Sequence, residues 1–221
     1  MTTVTMATAG GNSVQGAAKS RRAYVAAKRV MDFVGAGFAL LFLAPVFTVV
    51  ALLIKLEDGG PVFFSQKRVG KGGREFKFYK FRSMCVDAEA RRAALKQAAD
   101  DDSVRFKMTR DPRITRIGRI IRRFSIDEMP QFINVLIGDM SLVGPRPALP
   151  EEVAEYTPHE LQRLSVEQGL TCTWQVTGRS LIPFEEQVEL DIQYAAERTL
   201  WGDVKLLAQT VPAVLFGRGA Y

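Results

Sequence analysis

The sequence predicts a mainly helical α+β fold: a re-entrant N-terminal membrane helix, interfacial amphipathic helices and one short β-hairpin. Three observations predict it. Residues 33–54 form an apolar run without a single charge. Two aromatic-rich runs, 62–69 and 74–81, flank a Gly-Lys-Gly-Gly turn. Residues 113–124 set isoleucines at helical spacing among arginines.

Composition narrows what such a fold can serve. The 221 residues hold one domain with an added segment. Hydrophobic residues make up 47 %, with mean hydropathy +0.00, so the apolar residues must be concentrated somewhere. A net charge of +6 and a pI near 9.5 call for an anionic partner: nucleic acid, a phosphorylated substrate or an acidic membrane. Cys85 and Cys172 have no metal-type spacing and make no disulfide framework, which fits a reducing compartment. His159, the only histidine, excludes a His-rich zinc site and argues against a Ser-His-Asp triad. Beside Pro158 it reads as an exposed loop residue.

Taken in order, the chain divides into a disordered basic tail over 1–27, a membrane helix over 28–56 and a folded domain over 57–221. The first 20 residues are rich in Thr, Ala, Gly and Ser without periodicity, and Lys19, Arg21, Arg22, Lys28 and Arg29 follow. The apolar run from Phe33 to Ile54 is long enough for a bilayer. It starts too deep and runs too long for a signal peptide, and a soluble core helix would carry polar residues on one face. Pro45, near its middle, removes a backbone hydrogen bond and kinks or breaks the helix. Both flanks are basic, so the positive-inside rule gives no direction. A kinked full span and a bent helix that returns to the same face both remain open. The second satisfies both flanks at once and is preferred.

After the turn at 57–61 comes the hairpin. Its Gly-Lys pair lacks the glycine spacing and the following Ser/Thr of a P-loop, so a plain turn is expected. Residues 87–98 make an exposed helix rich in Ala, Glu, Lys and Arg, and no internal repeat is visible.

Chemistry concentrates downstream. Ile114, Ile117, Ile121 and Phe124 share a helical stripe, with Arg113, Arg116, Arg119 and Arg123 mostly on other faces. This suits an ordinary surface helix, a helix lying on an anionic membrane or facing phosphates, or a nucleic-acid surface. A membrane anchor disfavours the last. Ser125 and Glu128 have capping-box spacing, so the next residues can be no more than a helix start. Asp127 beside Glu128 also joins a nucleophile to a hard-metal ligand, near helix amides that favour anions.

The run SIDEMPQFINVLIGDMSLVGPRP, Ser125 to Pro147, resembles the signature of bacterial sugar transferases, the monotopic phosphoglycosyl transferases. The likeness extends over residues 28–221. It takes in KRVMDF, Pro45, DGGPVFFSQKRVGKGG, KFRSM, DPRITRIGRIIRR, WQVTGR, LDIQY and the Trp201-Gly202-Asp203 region. IKLEDGGPV and the closing GRGAY are most similar to the exopolysaccharide-initiating members. The resemblance implies transfer of a hexose-1-phosphate from a UDP-sugar to undecaprenyl phosphate, with UMP released through a sugar-phosphoryl-aspartate intermediate. Asp127 would be the nucleophile, and Glu128 would hold Mg²⁺, whose oxygen preference suits a carboxylate. Arg122 and Arg146 would bind phosphate, guanidinium being matched to it, and Lys80, Arg179, Asp191 and Tyr194 would join the substrate pocket. The place implied is the cytoplasmic face of a bacterial inner membrane, reached monotopically, with anionic lipid headgroups as neighbours and no nucleic acid. A phosphatidyl-type transferase would need several spans, and a tethered nucleic-acid module would give Asp127 no role. Ala44, Met129 and Cys172 depart from the usual Ser, Leu and Gly, and Cys172 bears on the loop beside the nucleotide sugar.

Overall fold

The computed structural model describes residues 10–98, 111–178 and 181–216. Helix α1 (Gly10–Asp58) leads into the antiparallel hairpin of β1 (Phe63–Val69) and β2 (Glu75–Phe81). Helices α2 (Ala88–Ala98), α3 (Arg116–Arg123) and α4 (Gln131–Ile137) follow, then β3 (Ser141–Val143), α5 (Pro150–Ala154) and β4 (Gly169–Thr171). Strands β3 and β4 pair in parallel. Helices α6 (Thr173–Thr177), α7 (Phe184–Glu197) and α8 (Leu200–Phe216) complete the chain.

The first correction concerns the tail. Residues 1–9 lie outside the described residues, but the chain is helical from Gly10 onward. Part of the reason is tertiary: the Tyr24 hydroxyl donates to Asp203 Oδ2 at 2.9 Å, and Lys28 Nζ lies 3.1 Å from the same oxygen. The second correction concerns Pro45: of the expected kink or break, the break does not occur, since Pro45 stands inside α1. It withholds one N–H without ending the helix, and the Thr48 hydroxyl donates to the Ala44 carbonyl at 3.0 Å.

One stripe of α1 packs on the domain near both ends of the apolar run. Ala36 joins a cluster with Phe76, Phe78, Val135 and Leu142, while Val50 and Ile54 join Phe81 and Ile121. Polar contacts hold the same two ends. Asp32 accepts from the Ser141 hydroxyl and the Leu142 amide, and Arg29 donates to the Val135 and Leu136 carbonyls. Glu57 accepts from the Arg116 and Ile117 amides, and Asp58 pairs with Arg82. The opposite stripe, Phe38, Leu41, Phe42, Val49, Leu52 and Leu56, is exposed.

The hairpin forms over the expected runs. Its 3-10 turn, Lys71–Gly73, needs glycine at 72 and 73, whose φ values are 65° and 84°. The other edge of β2 is closed by a side chain: Asn134 accepts from the Tyr79 amide at 3.1 Å and donates to the Lys77 carbonyl at 2.6 Å. The amide thus substitutes for a neighbouring strand. Helix α3 starts later than its arginine pattern implied, with Thr115 capping the Gly118 amide at 2.9 Å. Arg113 stays outside the helix, buried in a fork with Asp111.

Candidate active site

The site begins where α3 ends. Ser125, a non-glycine residue with φ 54°, turns the chain sharply after Phe124. An L residue there costs about 1–2 kcal/mol, a strain that recurs at functional positions. Residues 126–128 then form a 3-10 turn, and i→i+3 hydrogen bonds continue through Ile133. The expected capping box is absent: Ser125 makes no side-chain cap, and the Glu128 carboxylate points to other partners. With three residues per turn, Glu128, Gln131 and Asn134 fall on one face. Asn134 fixes that face against β2, which brings Glu128 to Lys80.

Glu128 is the centre of an ion cluster. Arg146 grips it with two nitrogens, NH2 to Oε1 at 2.6 Å and NH1 to Oε2 at 3.2 Å. Lys80 Nζ donates to Oε1 at 3.2 Å. Burial alone would raise the Glu128 pKa, but Arg146 and Lys80 outweigh it and hold the carboxyl well below the usual range. Asp127, 7 % exposed, goes the other way. Burial first, then the charge of Glu128, push it up to about 6 against the pull of Lys80, Arg122 and Arg146. Two adjacent carboxyls are thereby driven apart, one firmly ionised and one more basic, which is how a carboxylate pair divides two roles. Lys80 is itself lowered by burial, and Arg146 is raised by Glu128.

The other expected residues fall in three groups. Arg122, in the last turn of α3, is near enough for its charge to act on both Asp127 and Asp111. Arg179 lies outside the described residues. Asp191 and Tyr194 serve buried networks instead of the Glu128 cluster. Asp191 Oδ2 accepts from Arg163 at 2.6 and 2.9 Å, and that guanidinium lies over Tyr156 and Phe184. The Tyr194 hydroxyl donates to Asp203 Oδ1 at 2.8 Å and lies 3.0 Å from the Val143 carbonyl, tying α7 to α8 and β3. A cavity of about 240 Å³ lined by Thr173, Tyr194, Arg198 and Leu206 is framed by α6, α7 and α8, and no member of the charged cluster lines it. Cys172 is fully buried, its thiol donating to Gln175 Oε1 at 3.1 Å, and burial raises its pKa. His159 is exposed, as its loop setting implied.

Arg68 was not singled out in the sequence, yet it lies beside Arg146 and faces the same side of the hairpin as Lys80. Counting alternate residues back across the turn from Lys80 would have found it.

Glu128 and Asp127 are the residues here that could hold a magnesium ion. Among the described residues no three or more Asp, Glu, His or Cys side chains gather. Mg²⁺ needs only one or two carboxylates when phosphate and water supply the rest. Glu128 Oε2 takes one donor, leaving lone-pair capacity, and Asp127 stands next to it.

Comparison with known proteins bears on most of the chain. The family described as bacterial sugar transferase matches residues 23–217. The galactosyl transferase CpsE of Streptococcus agalactiae is 48 % identical over 89 % of this chain, which spans 44 % of that protein. The exopolysaccharide production protein ExoY of Rhizobium meliloti is 36 % identical, with 88 % of each chain covered. The undecaprenyl-phosphate galactose phosphotransferase of Salmonella typhimurium is 39 % identical over 88 % of this chain and 41 % of its own length. The chain thus spans under half of two of these relatives and most of the third.

Proposed function

We propose that this chain, which belongs to the bacterial sugar transferase family, moves a hexose-1-phosphate from a UDP-sugar to undecaprenyl phosphate and releases UMP. That would be the first membrane step of exopolysaccharide assembly. The observation that carries the reading is the divided pair: a buried, more basic Asp127 beside a Glu128 held ionised by Arg146 and Lys80.

In this reading an Asp127 carboxylate oxygen attacks the β-phosphorus of the donor. The bond from that phosphorus to the bridging oxygen breaks, and UMP leaves with the bonding electrons. An oxygen of undecaprenyl phosphate then attacks the same phosphorus, the bond to Asp127 breaks, and the carboxylate is restored. Covalent catalysis thus replaces one difficult displacement by two. Burial of Asp127 keeps water from the intermediate and raises the basicity of its carboxylate. Arg146 and Lys80 orient Glu128 and bring positive charge to the phosphates, and Arg122 adds to that field. Glu128, with Asp127 alongside, would hold Mg²⁺, which when bound offsets the charge of the diphosphate.

The apolar run of α1 would dip into the cytoplasmic face of a bacterial inner membrane and return. Docking near both of its ends supports this, since one domain cannot keep the Asp32 and Glu57 contacts from opposite sides of a bilayer. The helix is long and apolar enough to cross a membrane, with 11 % of its most apolar window buried. On α3, Ile120 is exposed among Arg116, Arg119 and Arg123, a surface suited to anionic headgroups.

The test is covalent trapping. With labelled UDP-sugar and Mg²⁺ but no lipid, label should stay on the wild-type protein and be chased by undecaprenyl phosphate. Asp127→Asn should keep the fold, take no label and lose turnover. Turnover of that variant near the wild-type rate would remove Asp127 from the mechanism.

A further inference from the structure

The hairpin register carries another cation toward the site. Phe64 pairs with Lys80, Gln66 with Phe78 and Arg68 with Phe76, so Arg68 and Lys80 project from one face of the sheet. Phe78, 1 % exposed, lies under both. The Arg68 guanidinium carbon is 5.3 Å from its ring centroid and Lys80 Nζ is 5.1 Å from it. At its other end Arg68 NH1 donates to the Pro147 carbonyl at 3.2 Å, one residue from Arg146.

What Arg68 lacks is an anion within hydrogen-bond distance. Its Nε is buried without a hydrogen-bond partner, and NH2 reaches only Gln66 Oε1 at 3.4 Å. The Glu152 carboxylate stands 4.0 Å away, and its Oε2 already accepts the Leu149 amide. Burial and the charge of Arg146 push the guanidinium down to about 10. A half-satisfied guanidinium beside a second arginine and a lysine is costly unless a ligand supplies negative charge.

We propose that Arg68 is a phosphate-binding residue of this site, its guanidinium taking a phosphate group of one of the two substrates alongside Arg146 and Lys80. The proposal rests on the phosphotransfer reading above. Phosphate is common to the donor's diphosphate and to undecaprenyl phosphate, and steady-state kinetics separate the two. In the full-length protein, Arg68→Lys keeps the charge but loses the planar fork. It should raise KM for one phosphate substrate at least about tenfold while changing kcat far less, and the KM that moves names the source. Arg68→Ala should lose more, with partial rescue by added methylguanidine. Unchanged KM values for both substrates overturn the proposal, as does a loss that only follows a lowered melting temperature and resists rescue. If the wild type transfers nothing from any UDP-sugar, the phosphotransfer reading fails instead. Binding of inorganic pyrophosphate by calorimetry then decides Arg68, with at least about tenfold weakening expected in Arg68→Ala and equal affinity overturning the assignment.

Discussion

Glu128 shows how much one side chain can organise. Its carboxylate is the shared partner of Arg146 and Lys80, so it sets the position of both cations and its own ionisation. Replacing it with glutamine keeps the shape, removes the charge and weakens any hold on a cation. Activity of Glu128→Gln should fall by about 10²–10³-fold, the loss typical of a missing preorganised charge. Activity of the wild type should vanish in EDTA and return with Mg²⁺. Full activity after bound metal has been stripped, checked by elemental analysis, would contradict the role given to Glu128. At this scale the sequence was legible where chemistry is local. Asp127, Glu128 and Arg146 lie within one continuous motif, and Lys80 in a second one nearby. What Asp191 and Tyr194 touch was not legible, because a motif marks a residue as required without saying why. A buried counterion for Arg163 and a hydroxyl held by Asp203 look the same in sequence as pocket residues.

At the scale of elements, the site depends on a hairpin whose outer edge is closed by one amide of α4. Asn134 satisfies the Tyr79 N–H and the Lys77 carbonyl, and it lies on the same face as Glu128 in the preceding 3-10 turn. Asn134→Leu would leave two backbone groups without partners in a buried site. The expected loss is about 2–6 kcal/mol, from roughly 1–3 per unsatisfied group, read as a lower denaturation midpoint. Activity should fall further than stability under conditions where the protein remains folded, because Glu128 then loses its register with Lys80. Stability equal to wild type would show that another group closes the strand edge. The hairpin itself was readable, since its turn and alternating strands are contiguous. Strands β3 and β4 were not, because each has three residues and their pairing joins positions 141 and 169 across a long connection. The start of α3 shifted for a similar reason: Arg113 fits a helical pattern but is claimed by Asp111.

At the scale of the whole molecule, the question is how one apolar helix would serve a domain proposed to work at a membrane surface. The run from 33 to 54 would measure about 33 Å as a straight helix, close to the thickness of a hydrocarbon core. Length alone therefore favours a span. The ends argue otherwise, because Lys28, Arg29 and Asp32 before the run and Glu57 and Asp58 after it are all engaged with one domain. A span would break one set of these contacts, leave Asp203 buried without Lys28, and carry Arg21 and Arg22 outward against the positive-inside tendency. Pro45 eases the alternative, since a missing N–H lets a helix bend. In a Cys85→Ser background, Ala23→Cys should react only with reagents that reach the cytoplasm, Cys172 being buried. Adding Pro45→Leu restores the hydrogen bond, stiffens the run and should expose a fraction of residue 23 to an impermeant maleimide applied from outside. Labelling of residue 23 from the outside with Pro45 intact would overturn the re-entrant path and leave the roles of Asp127 and Glu128 untouched.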